Sequence, residues 1–323
     1  MAIRRNILRS KTARDQYIRG VTLLKREFPG TTTTSLGIPG PSRSLSTYDL
    51  FTIWHHVAMT TPTPVGHPTR NAAHAGPVFL PWHRFMLVQL ELNLQRVLNS
   101  PDFGLPYWDW AADGQRPPSS QGTSRIWAAT CMGGNGIPVG TGPFAFDAND
   151  PNSWRVVIEG TSGGQLVQAN RGLRRAIGTS GTSTLALPRK THTRAALRIT
   201  PYDEDPWDPD SAGFRNVLEG WFGTPSQFHN QVHQFVGGDM LRTTSPNDPV
   251  FYLNHCNVDR IWEAWMRPSP KGHGRVYLPD ASAPLDLRGH RLNDTLTSIL
   301  SATTTPAAML DVTALYTYDR LTV

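Results

Sequence analysis

Residues 227–266, QFHNQVHQFVGGDMLRTTSPNDPVFYLNHCNVDRIWEAWM, decide how the chain is read. His229 and His233 are four apart, so on a helix predicted over Gln227–Val236 they share one face, a turn apart. Asn247-Asp248-Pro249 reads as a helix start, with Asn or Asp as cap and Pro suited to the first turn. The predicted helix runs to Met266 on an apolar stripe of Phe251, Val258, Ile261 and Trp262. His255 falls inside that stripe, where an uncompensated imidazole would be costly.

The N-terminal half repeats the pattern. Leu50, Ile53, Trp54 and Val57 give one apolar side to a helix over Ser46–Met59. A second helix is predicted over Pro81–Leu98, with Phe85, Leu87, Leu90, Leu94 and Val97 as its stripe and Pro101 beyond its end. His55 belongs to the first, His83 opens the second, and His74 lies in the connecting loop. A lone buried His is more often a hydrogen-bonded core residue, and an i,i+4 His pair also arises by chance. Six histidines in two apolar helix pairs point instead to two metal-binding triads.

The predicted fold is mainly α: an antiparallel four-helix bundle core with long irregular loops and few short strands. Residues 1–323 are read as one domain, with 114–200 as a loop-rich insertion among its Gly, Pro, Ser and Thr residues. The 28 Gly and 27 Pro favour long loops, while 10 Trp, 8 Tyr and 12 Phe supply ample core and argue against disorder. Net charge is +6. The basic residues are scattered even in the densest stretch, Arg171–Arg198, so no nucleic-acid partner is expected. Cys131 and Cys256 are the only cysteines, so no disulfide framework is implied, and Cys256 is expected as a buried thiol. The N-terminus has an Arg pair without an apolar run behind it, and no stretch of about 18 apolar residues occurs. Neither a signal peptide nor a membrane association is expected, which leaves a cytoplasmic protein or one exported with a partner.

All-imidazole sites suit copper, zinc, iron or nickel, with copper at the top of the affinity order. No Glu-x-x-His occurs, so a carboxylate-rich di-iron bundle is unsupported. A zinc hydrolase needs one site and a general base. Two all-His triads fit a redox pair better, each metal giving one electron to dioxygen, and the expected cofactors are two copper ions with O2 as cosubstrate.

Several segments carry a family resemblance: YDLFTIWH (Tyr48–His55), AAHAGPVFLPWHRF (Ala72–Phe85), HNQVHQFVGGDM (His229–Met240) and SPNDPVFYLNHCNVDRIWEAW (Ser245–Trp265). With LPYWDWAAD (Leu105–Asp113), GFRNVLEGW (Gly213–Trp221) and YTYD (Tyr316–Asp319), they resemble the type 3 copper family of tyrosinases, catechol oxidases and haemocyanins. The resemblance implies that His55, His74 and His83 bind one copper, and His229, His233 and His255 the other. His56, one residue around the helix, is left a structural role. Glu219 and Asn230 match a pair that in bacterial tyrosinases orients a water to take the phenolic proton; the plainer reading of Glu219 is an exposed acid. Arg4 or Arg5 should stack on Tyr316 and Tyr318, joining the termini.

The departures are also informative. No Cys lies between His55 and His74, so a Cys–His thioether is not expected. Asn254 stands where several bacterial tyrosinases have a second His. With Trp54-His55-His56 and the long 114–200 region, this points to a bacterial subgroup oxidising o-aminophenols. The chain stops soon after Tyr-x-Tyr, so no C-terminal shielding domain is expected, and a separate small copper-delivery partner protein is. The implied activity is oxidation of small phenols, o-diphenols or o-aminophenols to quinones or quinone imines. The alternatives are a haemocyanin-like oxygen-binding protein and, more weakly, an inactive pigment-pathway interaction protein.

Overall fold

The computed structural model describes residues 1–222, 227–267 and 275–322. Six helices carry the architecture: α1 (Lys11–Arg26), α2 (Thr47–Met59), α3 (Phe79–Leu98), α4 (Phe214–Glu219), α5 (Phe228–Val236) and α6 (Val250–Met266). Further short helices and helical turns occupy the connections.

Local chemistry sets the ends. Ser46 caps α2 through a reciprocal pair: its Oγ accepts from Asp49 N, and the Asp49 carboxylate accepts from Ser46 N. Such a cap contributes about 1 kcal/mol. The helix α3 begins two residues before Pro81 and ends at Asn99, which turns left-handed at φ 50°. At α6 the predicted start is shifted: Ser245–Asn247 form a 3-10 turn, Pro249 takes the cap position, and Asp248 Oδ1 accepts from Val250 N at 3.0 Å.

The sequence reading missed α1. Its five basic residues leave only a narrow stripe, Ala13, Tyr17, Gly20, Val21 and Leu24, and this stripe is buried. Gly20 lies so close to α3 that a Cβ there would sit 2.7 Å from Leu94 Cδ2. The core is therefore a helical bundle with a fifth long element, in which α3 packs on both α1 and α6. Trp54 on α2 meets Trp82 and Phe85 on α3 with ring centroids 5.3 and 5.1 Å apart, and both indole N–H groups donate to the Thr297 carbonyl.

Strands are few and short, as expected. β1 (Ala2–Arg4) pairs in parallel with a strand over Tyr316–Tyr318. Arg4 makes the anticipated stack, its guanidinium carbon 3.4 Å from the Tyr316 ring centre, while Arg5 is exposed. Arg4 also donates to Glu91 and Asp259, fully buried. Within 114–200, β2 (Val156–Gly160) and β3 (Leu166–Arg171) form an antiparallel hairpin. Ile158 joins Ile38, Leu45 and Ile53 in a small second core, which anchors this region on α2. No helix among the described residues is long and apolar enough to cross a membrane.

Candidate metal centre

Four helices and one loop aim six imidazoles at one interior. On α2, successive residues point about 100° apart. His55 faces inward and His56 faces the hairpin, where its Nδ1 lies 2.8 Å from Thr243 Oγ1 and its Nε2 3.1 Å from the Gly164 carbonyl. Both nitrogens of His56 are thereby used, which suits a structural role.

His74 sits on a loop held from two sides. Asn71 Oδ1 accepts from Ala73 N and His74 N at 3.0 and 2.7 Å. Ala75 adopts φ 58°, a strained conformation for a residue with a Cβ, and its N–H donates to Glu219 Oε1 at 2.7 Å. On α5, His233 is followed by Gly237 and Gly238, both at positive φ; a Cβ on Gly238 would fall 1.9 Å from the Arg174 carbonyl oxygen. That turn lets the Met240 carbonyl come back to His233.

The hydrogen bonds fix the tautomers of four rings. Nδ1 of His55, His83 and His233 must donate to the carbonyls of Thr243 (2.7 Å), Phe79 (2.7 Å) and Met240 (2.6 Å), since a carbonyl only accepts. His229 Nδ1 faces Asn230 Oδ1 at 3.0 Å and the Glu219 carbonyl at 3.3 Å. Each of these rings therefore presents a bare Nε2 lone pair inward. Nε2 of His55 and His83 is buried without a partner. Nε2 of His255 lies 3.1 Å from that of His229 and 3.4 Å from that of His233.

In each triad, one ring nitrogen per histidine lies within 4.8 Å of the others. Ligands at about 2 Å around one ion stand about 3–3.5 Å apart, so this donor set fits a cation. The two triads adjoin, with the His83 and His255 rings stacked at 4.2 Å. Phe251 packs against His55 and His255, and Phe79 against His83 and His229, which gives the interior an apolar lining on those sides. Burial pulls the His55 ring down to about 3 and His233 to about 4. His74, His83, His229 and His255 are held well below the ordinary value by burial first and neighbouring imidazoles second. All six stay neutral at neutral pH, the form that ligates a metal.

Glu219 is fully buried, unlike the exposed acid of the plainer reading. Its Oε2 accepts from Arg215 Nη1 at 3.1 Å, and Arg215 grips Asp203 with two bonds of 2.8 and 3.0 Å. Burial pushes the Glu219 carboxyl up against the opposing pull of Arg215. A cavity of about 290 Å³ reaches His55, His74, His229 and His233 from the surface, with Trp221, Asn230, Met240 and Arg242 among its walls. Sequence reading missed Thr243, Arg215, Asp203 and Arg242. The first acts on His55 through a backbone carbonyl, which leaves no residue signature, and the others are brought to the site only by folding.

Comparison with known proteins agrees with this geometry. The model of the common central domain of tyrosinase matches residues 45–268. The tyrosinase of Streptomyces glaucescens is 38% identical over 280 residues, covering 84% of this chain and 88% of that protein. Grixazone synthase of Streptomyces griseus subsp. griseus is 36% identical over 298 residues, covering 84% and 90%. The solved polyphenol oxidase of Thermothelomyces thermophila has the same fold, with a TM-score of 0.72, 22% identity and coverage of 99% and 89%. Six convergent, neutral imidazoles in two triads, on a chain matched over most of its length, make this protein a member of the tyrosinase family, a dicopper oxidoreductase that uses O2 on small phenolic substrates.

Proposed function

We propose that His55, His74 and His83 hold one copper ion and His229, His233 and His255 the other, and that the centre oxidises phenols, catechols and o-aminophenols. The observation that carries the ligand assignment is the set of bare ring nitrogens turned to one interior, which neutral imidazoles tolerate only around a cation. When bound, the copper pair supplies the two electrons that reduce O2. The chain's own part is to keep the imidazoles neutral, line the interior with Phe79 and Phe251, and admit the substrate ring through the cavity beside Trp221. That open route favours an enzyme over an oxygen carrier.

Glu219 and Asn230 together hold a water that takes the proton of a monophenol. A carboxylate offers about four acceptor sites, and Ala75, Arg215 and Trp221 use three of those on Glu219, leaving one for a water. Asn230 lines the cavity, and its Cβ is 3.1 Å from the position a Cβ on Gly220 would take, directly after Glu219. Likeness to grixazone synthase supports including o-aminophenols, in line with Asn254 and the long 114–200 region. Oxygen uptake by the copper-loaded protein with tyrosine, catechol and o-aminophenol, measured side by side, tests this. Inactivity on all three would overturn it.

Residues 1–323 fold as one copper domain, a reading supported by the pairing of Ala2–Arg4 with Tyr316–Tyr318. Limited proteolysis releasing a stable fragment would contradict it. A separate small protein delivers the copper, whether the chain stays in the cytoplasm or is exported with that partner. The buried ligands and the apolar surface of exposed Trp221, Phe222 and Leu241 near the cavity support this. Full loading by free copper at the same rate with and without such a partner would refute it.

A further inference from the structure

Among the described residues, Arg242 is the one with a permanent charge lining the cavity to the histidines. Its surroundings leave that charge available. Arg171 occupies both nearby acids, with bonds to Glu159 of 2.6 and 3.1 Å and to Asp239 of 2.7 and 2.9 Å. Arg174 stands a further 4.0 Å from Glu159. Three guanidinium groups thus face two carboxylates. Arg242 itself reaches only the Gly160 carbonyl, at 3.4 Å, and has no carboxylate within 4.0 Å among the described residues.

Its place along the cavity is fixed by the backbone. The next residue, Thr243, accepts from His55 Nδ1, so the Arg242 Cα lies one 3.8 Å step from a residue that touches the metal centre. Arg242 is exposed, while His55, His74 and His229 are buried and His233 is half-buried. Charge and reacting end are therefore separated along the cavity, with Trp221 offering an aromatic wall.

We propose that Arg242 makes this centre selective for phenolic rings that carry an anionic group, a carboxylate, on the side of the ring away from the reacting hydroxyl. Arg242 acts as a specificity residue: it holds the carboxylate at the mouth while the hydroxyl enters the histidine interior. The inference rests on the reading that substrates use this cavity.

The test is oxygen uptake by copper-loaded protein with 3,4-dihydroxybenzoate, its methyl ester and 2-(3,4-dihydroxyphenyl)ethylamine. The wild type should favour the carboxylate over the ester in kcat/KM by about threefold to tenfold, the range for a partly hydrated guanidinium–carboxylate contact. The preference should reside in KM and shrink at high salt, where screening shortens to about 3 Å at 1 M. Arg242→Gln should bring the ratio near one, Arg242→Lys should retain much of it, and Arg242→Glu should turn the preference toward the amine. Without turnover, benzoate binding should weaken in Arg242→Gln by a similar factor while benzamide binding does not change. A wild-type ratio of one or less, or a ratio unaltered in Arg242→Gln, overturns the proposal while leaving the oxidase reading intact. Inactivity on all three by a protein that oxidises o-aminophenol would overturn the proposal alone, and inactivity on o-aminophenol and tyrosine as well would overturn both.

Discussion

Replacing Glu219 by Gln removes one buried negative charge while keeping the side chain's shape. The Ala75 N–H, now 2.7 Å from Oε1, would keep an acceptor if the amide oxygen takes that place. The amide nitrogen would then oppose Arg215 Nη1 across 3.1 Å, donor against donor. Stranding a buried charge costs about 3–5 kcal/mol. Arg215 is not stranded, because it retains two bonds to Asp203 and donates to Asn216 Oδ1 and the Asp208 carbonyl. The expected cost is therefore nearer 1–3 kcal/mol, a fall of several degrees in Tm that leaves the protein folded. General-base assistance contributes about 10²–10⁴-fold, and a catechol, being more acidic, depends on it less. Glu219→Gln should thus lower hydroxylation of tyrosine at least about 100-fold relative to oxidation of the matching catechol. Oxygen uptake with both substrates, on protein of measured copper content and Tm, gives that ratio. Parallel loss of both activities, with copper falling toward one ion per chain, would refute the water-holding role. Glu219 would then serve the His74 loop through Ala75.

His74→Ala should reduce bound copper from two ions to one per chain and abolish oxygen uptake, while far-UV dichroism barely changes because residue 74 lies in a loop; metal analysis after dialysis checks this. Arg4→Ala leaves the buried Glu91 carboxylate without its cation, while Asp259 keeps Arg84, and should cost about 3–5 kcal/mol in urea unfolding; a loss below about 1 kcal/mol would contradict the network. His290 is buried, its Nε2 donating to the Thr63 carbonyl at 3.0 Å, and burial with Arg70 nearby pulls its ring down to about 3. Because the unfolded ring takes up a proton near pH 6.5 and the folded ring does not, stability is full above that value and falls as pH drops toward 3. Between pH 7 and 5 the metal-free His290→Gln variant should therefore lose about 2 kcal/mol less than the wild type in urea midpoints converted to free energy.

The sequence by itself determined the helices that carry the histidines and the grouping of six histidines into two triads, because those signals are local. Apolar spacing along α2, α3 and α6 reads out directly, and His229 and His233 share a face through helix geometry alone. Even there, α1 escaped notice: its apolar stripe is narrow and interrupted by Arg and Lys, and only packing against α3 makes it a helix worth burying. Tertiary structure alone decided how the imidazoles are turned. The carbonyl that fixes His55 belongs to Thr243, 188 residues away, and a backbone oxygen leaves no mark in the sequence. It also decided which charges are buried together. Arg4 meets Asp259 across 255 residues, and Glu219 meets the Ala75 N–H across 144. Arg242 lies only nine residues after His233, yet its place at the mouth follows from the turn at Gly237–Gly238 and from the packing of β2 and β3 on α2. Periodicity is a property of neighbours along the chain, whereas hydrogen-bond partners and charge balance are set by whichever surfaces the fold brings together.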